Sequence, residues 1–348
     1  MLPCRPVTLL ARLRQRVPPV WLARAHRVSR YLPWLSLATG IGSALLMNRT
    51  PGRAWLVVVA SLLCWLLLFA LHFVERSVVM GKSSQGARFA LLLGSQVAVQ
   101  TAVFFPLPFY VRAASATSGH AVFFLAYALV VVVALWDPWY AKARARGWSA
   151  FCVHAFAAFV GLNMVLPVLG MSNHASLLLA GAITAVGVPL LFLAATPGSS
   201  TRWLALPAGA LVILAALLGA PLVPPAPLEL GAIAIGSRVS DKELIDAAPL
   251  HDRFTNLVCH SAIKAPFGLH DALVHVWRVD DRPLDEIALA VSGGRTGGFR
   301  TWSIKRPPAD GWPPGHYSCR VQTASGQVVG VASVRVPADA QRRTTVAP

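Results

Sequence analysis

The sequence predicts an α-helical membrane bundle of about seven transmembrane helices followed by a small all-β, immunoglobulin-like sandwich. Three observations carry that expectation. Apolar blocks of membrane-crossing length crowd the first two-thirds of the 348 residues. Of the fourteen acidic residues only Glu75 and Asp137 precede residue 229. Beyond that point the pattern changes to short alternating runs separated by Gly, Pro and Asp. A mean hydropathy of +0.58 with 55% apolar residues places the chain among membrane proteins.

Residues 1–30 read as a basic cytoplasmic or interfacial segment. Leu9, Leu10, Leu13, Trp21 and Leu22 lie among arginines there, which suits contact with anionic lipid. The segment has neither the apolar core nor the small-residue cleavage positions of a secretory signal peptide.

The transmembrane helical region is expected over 31–223, with spans near 31–47, 54–74, 89–109, 119–136, 150–170, 175–195 and 203–223. Pro106 and Pro108 end or kink the third of these near its exit. With the N-terminus inside, the cytoplasmic side receives fourteen Lys and Arg side chains, and the opposite side only Arg49, Arg53 and Arg112. That bias predicts a multi-pass protein of a bacterial inner membrane, its N-terminus cytoplasmic and its C-terminal domain periplasmic. It also accounts for the net charge of +17, because the basic residues sit beside span ends and not on one folded face. A nucleic-acid partner is therefore not expected; the lipid bilayer is.

Polar side chains within spans are His72, Gln96, Gln100, His154 and Asn163. Gln96 and Gln100, four apart, share a helix face and could bond across to Asn163 or His154 as interhelical contacts. Transport by the bundle is the alternative. It would require these groups to converge on one path, and the spans lack the carboxylate that an ion or proton carrier normally carries.

Pro221, Pro224, Pro225 and Pro227 stiffen the exit from the last span, so 224–230 reads as a Pro-rich linker. The β-sandwich domain follows over 231–337, with strands near 231–236, 255–264, 272–279, 285–292, 299–305, 315–323 and 327–336, and 338–348 reads as a disordered tail. Cys259 in an early strand, Trp277 in the next and Tyr317 two residues before Cys319 follow the immunoglobulin pattern. A disulfide between Cys259 and Cys319 suits an extracytoplasmic domain; two free buried thiols remain the alternative. A zinc site of Cys259, His260, His316 and Cys319 is disfavoured by strand alternation, which points each His away from its Cys. No metal and no cofactor are expected.

His275 and Trp277 share one face of their strand, and Arg300 and Trp302 share one face of theirs. With Lys305 they form the candidate ligand or partner face, or else a core strand with a satisfied His and an Arg across the sheet. The loop Gly293-Gly-Arg-Thr-Gly-Gly298 lacks the Lys-Ser/Thr ending of a phosphate loop and reads as a hairpin turn. Asp280-Asp281-Arg282-Pro283 likewise reads as a turn. No catalytic residue set is recognisable, so the reading is a non-enzymatic protein whose sandwich binds an envelope protein or a glycan.

The run from about Arg253 to Val336, with His275-Val-Trp277, Phe299-Arg-Thr-Trp-Ser-Ile-Lys305 and the closing Gly315-His-Tyr-Ser-Cys-Arg-Val-Gln-Thr-Ala-Ser-Gly-Gln-Val-Val-Gly330, resembles the bacterial domain-of-unknown-function family numbered twenty-nine fourteen. The resemblance rests on His275, Trp277, Arg300, Trp302, Ser303 and Lys305 and implies a small β domain. The preceding region is similar to that of a proteobacterial multi-span membrane family. Neither resemblance implies an activity.

Overall fold

The computed structural model describes residues 31–49, 63, 85–115, 118–145, 147–195, 205–245, 247, 256–290, 298–309 and 311–337. The expected span at 54–74, the basic segment 1–30 and the tail 338–348 lie outside these, apart from Leu63. The helices are α1 (Leu32–Arg49), α2 (Gln85–Phe104), α3 (Leu107–Ala113), α4 (His120–Leu135), α5 (Asp137–Ala145), α6 (Gly147–Val168), α7 (Asn173–Ala195) and α8 (Ala205–Leu218).

A bundle of about seven transmembrane helices is not what they form. Among the described residues one helix is long and apolar enough to cross a membrane, over Ser149–Val168 of α6, and 67% of that window is buried inside the chain. Three of the expected spans are shortened. Pro106, which has no amide hydrogen to give, divides the expected third span into α2 and the seven-residue α3. The block at 119–136 makes a 16-residue helix and the last block a 14-residue one. Both fall below the ~20 residues that a crossing needs.

The core of the helical region is aromatic. Tyr127 packs edge-on to Phe156 (ring centroids 5.3 Å apart) and 5.8 Å from Tyr110, with Phe123 against all three. Two of the buried phenols find an acceptor on the backbone: Tyr127 Oη donates to Val103 O at 2.6 Å and Tyr110 Oη to Val160 O at 3.2 Å. Such bonds let large amphipathic rings be buried without an unpaired hydroxyl.

The C-terminal third is all-β. Its strands are β1 (Glu229–Gly236), β2 (Arg238–Ser240), β3 (Glu243–Ile245), β4 (Leu257–Lys264), β5 (Leu273–Val279), β6 (Arg282–Leu289), β7 (Phe299–Lys305), β8 (Gly315–Thr323) and β9 (Val328–Val336). A three-stranded antiparallel sheet, β1-β4-β7, faces a four-stranded one, β6-β5-β8-β9. The side chains of Ile235, Leu257, Trp277, Tyr317, Val334 and Val336 fill the space between them. Tyr317 Oη donates to Pro313 O at 3.0 Å, the tyrosine-corner bond of immunoglobulin-type domains. Asp280 and Asp281 both have positive φ in the two-residue β5–β6 turn. The strain is offset because Asp280 Oδ1 accepts from His316 N at 2.8 Å.

The short β2–β3 hairpin was not expected. It folds over the outer face of the three-stranded sheet, where Gly236 allows the approach: a Cβ there would lie 2.8 Å from Ile245 O. The proline-rich stretch is not a free spacer either, since Val223, Ala226 and Leu228 are buried.

The β region is seated on one end of the helices. Asp271 Oδ2 accepts from both N (2.7 Å) and Nδ2 (2.8 Å) of Asn173, placing a carboxylate at the N-terminus of α7, where the helix dipole favours it. Arg112 pairs with Glu229 at 3.4 Å, Gln327 Nε2 donates to Val223 O at 3.3 Å, and Phe109 meets Phe267.

Candidate functional site

Alternation along β4, β5 and β7 builds two separate surfaces. Inward, between the sheets, point Cys259, Ser261, His275, Trp277 and Ser303, all buried. His275 Nε2 lies 3.0 Å from Ser261 Oγ and 3.9 Å from Cys259 Sγ, and its Nδ1 lies 2.8 Å from Ser303 Oγ. Trp277 Nε1 donates to the same Ser303 Oγ at 2.9 Å. Cys259 on β4 and Cys319 on β8 form a disulfide between the two sheets. Burial first, and then the nearby His260, push the His275 pKa down from 6.5 to about 4, so the ring is neutral at pH 7.

Outward, on the face of the three-stranded sheet, stand Arg300, Trp302 and Ile304 of β7. Trp302 is 38% exposed and Ile304 50%. Arg300 pairs with Glu243 of the β2–β3 hairpin. His260, directly across from Trp302 in the sheet, turns its Nε2 to Lys242 O at 3.1 Å. The site is thus an exposed indole and an aliphatic side chain, edged by an ion pair that the hairpin supplies.

The expected five-residue face is therefore not one surface. His275 and Trp277 are enclosed, Arg300 and Trp302 lie on the opposite side of β7, and Lys305 reaches across the open edge of the sandwich to Asp285 of β6. That contact holds the Asp285 carboxyl below the usual carboxylate range. Ser261 and Glu243 did not stand out in the sequence, and Ser303 did so only through the family resemblance, with no role attached to it. The two serines carry a usable signal only in hindsight of register: each occupies an inward position on a strand flanking a buried His or Trp.

Nor do the polar side chains of the helical region converge. Gln96 and Gln100 both direct Nε2 at Ala134 O, at 3.4 and 2.8 Å, supplying a donor to a carbonyl in the last turn of α4. Asn163 donates to Tyr110 Oη at 2.9 Å, and His154 Nδ1 lies 2.7 Å from Ala150 O one turn back on its own helix. His72 lies outside the described residues. The Gln96, Gln100 and Asn163 contacts hold helices together, and among the described residues no catalytic set and no transport path is found.

Residues 10–252 match a family of unknown function (DUF5924), and residues 270–336 match a protein of unknown function (DUF2914). No curated protein and no solved structure matches the chain. The two matched stretches do not coincide with the folded units. The sandwich takes β1 to β3 from the first and β5 to β9 from the second, and β4 lies between them. A fragment of residues 270–336 would lose β1, β4 and Cys259. We expect it to lack cooperative unfolding in a circular-dichroism melt, whereas a fragment from 228 to 337 melts cooperatively. The first match covers more than half of the sequence, and the chain belongs to that family of unknown function (DUF5924), with a DUF2914 stretch near its C-terminal end.

Proposed function

We propose that this chain is a membrane-seated, non-enzymatic binding protein of the bacterial inner membrane, whose helical region lies in lipid. Its β region stands on the periplasmic side and engages an envelope protein or a glycan through the outward face around Trp302. The observation that carries the reading is an apolar exterior on several helices at once. Val122, Leu125, Leu129 and Val132 are exposed along α4, Leu179, Ile183, Val186 and Leu190 along α7, and Leu211, Leu214 and Leu218 along α8. A soluble surface rarely carries such patches. A protein partner would cover one stripe, whereas lipid covers all three.

The rim agrees. Trp136 and Trp139, 6.2 Å apart and both exposed, follow the α4 stripe where α5 begins, with Lys142 beside them, as at a membrane–water boundary. That rim lies at the end of α4 away from the β region, because α4 starts beside Leu222 and α6 ends beside His270. α6, the one described helix of crossing length, starts just after Lys142 and Arg144 and ends beside His270, so these basic residues fall on the side opposite the β region, which supports the orientation.

Carbonate extraction and protease accessibility test the seat. The chain should stay in the membrane pellet, and protease added to spheroplasts should cleave the β region while leaving the helices protected. Recovery in the carbonate supernatant would end the proposal. For the outward face, a photo-crosslinker at Ile304 should capture a partner, and Trp302→Ala should reduce capture at least tenfold, roughly 1.4 kcal/mol of binding. The same change should leave the unfolding free energy within about 0.5 kcal/mol, as for a surface substitution. Undiminished capture in Trp302→Ala would show that the indole is not the contact.

A further inference from the structure

The centre of the sandwich holds three metal-ligating side chains that the binding reading does not use. The donor atoms of Cys259, His275 and Cys319 all lie within 4.8 Å of one another, and all three residues are fully buried. We propose that the Cys259–Cys319 pair has a second state: when reduced, its two thiolates and Nε2 of His275 bind one zinc-class divalent cation.

Distances support it. Tetrahedral bonds of ~2.3 Å to sulfur and ~2.05 Å to imidazole nitrogen set a sulfur-to-nitrogen separation of roughly 3.6 Å. Cys259 Sγ and His275 Nε2 are 3.9 Å apart. The Cα atoms of the two cysteines are 6.3 Å apart, toward the upper end of the range for a disulfide, so the sulfurs can separate around an ion with little backbone movement.

The imidazole is held as a ligand needs to be held. Ser303 Oγ at 2.8 Å engages Nδ1, and Trp277 Nε1 fixes that hydroxyl in turn, which leaves Nε2 facing the sulfurs. This is the outer-shell bonding that orients metal-bound histidines. Ser261 Oγ, 3.0 Å from Nε2, is placed to be a fourth, oxygen ligand. Charge also closes: two thiolates and a divalent cation sum to zero, so no net charge is buried.

The chemistry balances with a dithiol reductant. One dithiol reduces the cystine to two thiols and is itself oxidised to a disulfide; cation binding then releases the two thiol protons. Cystine and metal are therefore mutually exclusive occupants of one site. Since every ligand is buried, the ion enters through transient opening of the sandwich, and exchange is slow.

The test uses the full-length chain in detergent with Cys4, Cys64 and Cys152 changed to serine, so that only the sandwich thiols can bind. Reduced protein titrated with Co²⁺ should take up one equivalent, with a thiolate-to-cobalt charge-transfer band that Zn²⁺ abolishes; oxidised protein should give no band. His275→Gln should weaken Co²⁺ binding at least tenfold. Zinc should slow maleimide labelling of the reduced thiols by at least tenfold. Absence of the band in the reduced chain overturns the proposal, and so does an unchanged affinity in His275→Gln. If that variant does not fold, X-ray absorption of the zinc-loaded chain decides instead: two sulfurs and one imidazole support the site, and any sulfur-free shell overturns it.

Discussion

Changing Cys259 and Cys319 together to alanine is expected to destabilise the β region by about 4 kcal/mol. The bond closes a loop with a sequence separation of 60. Chain-entropy reasoning gives a constraint of about 4 kcal/mol on the unfolded state for a loop of that size. The bond also ties β4 of one sheet to β8 of the other, so its loss frees the two layers where Trp277 packs between them. Set against the roughly 5–15 kcal/mol of a typical domain, the loss removes a large share of the total. Guanidinium unfolding followed by tryptophan fluorescence should show a much lower midpoint, with a steeper slope because the unfolded chain without the cross-link exposes more surface. Cys152→Ser, at an exposed position on α6, should leave that midpoint in place. A double variant with the wild-type midpoint would mean that the cross-link adds nothing to the sandwich.

The strands were legible because each is an alternating run with a turn residue at either end. Leu273 to Val279 carries its inward set at 273, 275 and 277, as period two requires, with Val274 buried on the other face. The inward face of β7 was not legible, and the reason is physical. Its outward set is Arg300, Trp302 and Ile304, and its inward set is Phe299, Thr301, Ser303 and Lys305, so hydrophobicity alone favours the wrong side. The inward serine is needed because His275 and Trp277 each bring a ring N–H or lone pair into a dry interior, and such groups require partners. Only the register of β4 and β7 against β5 reveals that need.

The β2–β3 hairpin escaped notice because three-residue strands have no measurable period, although Asp241 and Lys242 occupy a tight turn with positive φ. In the helical region, composition identified apolar segments correctly but could not give their lengths as helices. The break at Pro106 cuts the third expected span into α2 and α3, and α4 and α8, at 16 and 14 residues, are too short to be counted as spans. An apolar stretch also reads alike whether it faces lipid or, like most of Ser149–Val168, its own neighbours.

Lowering the pH from 6.5 to 4 should take about 3 kcal/mol from the stability of the β region through His275 alone. In the folded chain the ring is enclosed, and Ser261 and Ser303 give its two nitrogens the partners that a neutral imidazole needs. Among the described residues no carboxylate pairs with it to favour the imidazolium, and burial with His260 nearby lowers the pKa to about 4. In the unfolded chain the same imidazole takes a proton near pH 6.5. Between those two values the unfolded state binds more protons than the native one, so stability rises with pH across that window. The contribution is fully present above pH 6.5 and is lost as the pH falls to 4. The Asp285 carboxyl, held below the usual carboxylate range by Lys305 and screened by solvent, adds little within the window. Thermal or guanidinium unfolding at pH 7 and pH 4.5 should therefore separate wild type from His275→Gln, which stays neutral throughout. The variant starts less stable and loses less on acidification. Parallel pH profiles for the two chains would place the acid sensitivity elsewhere in the fold.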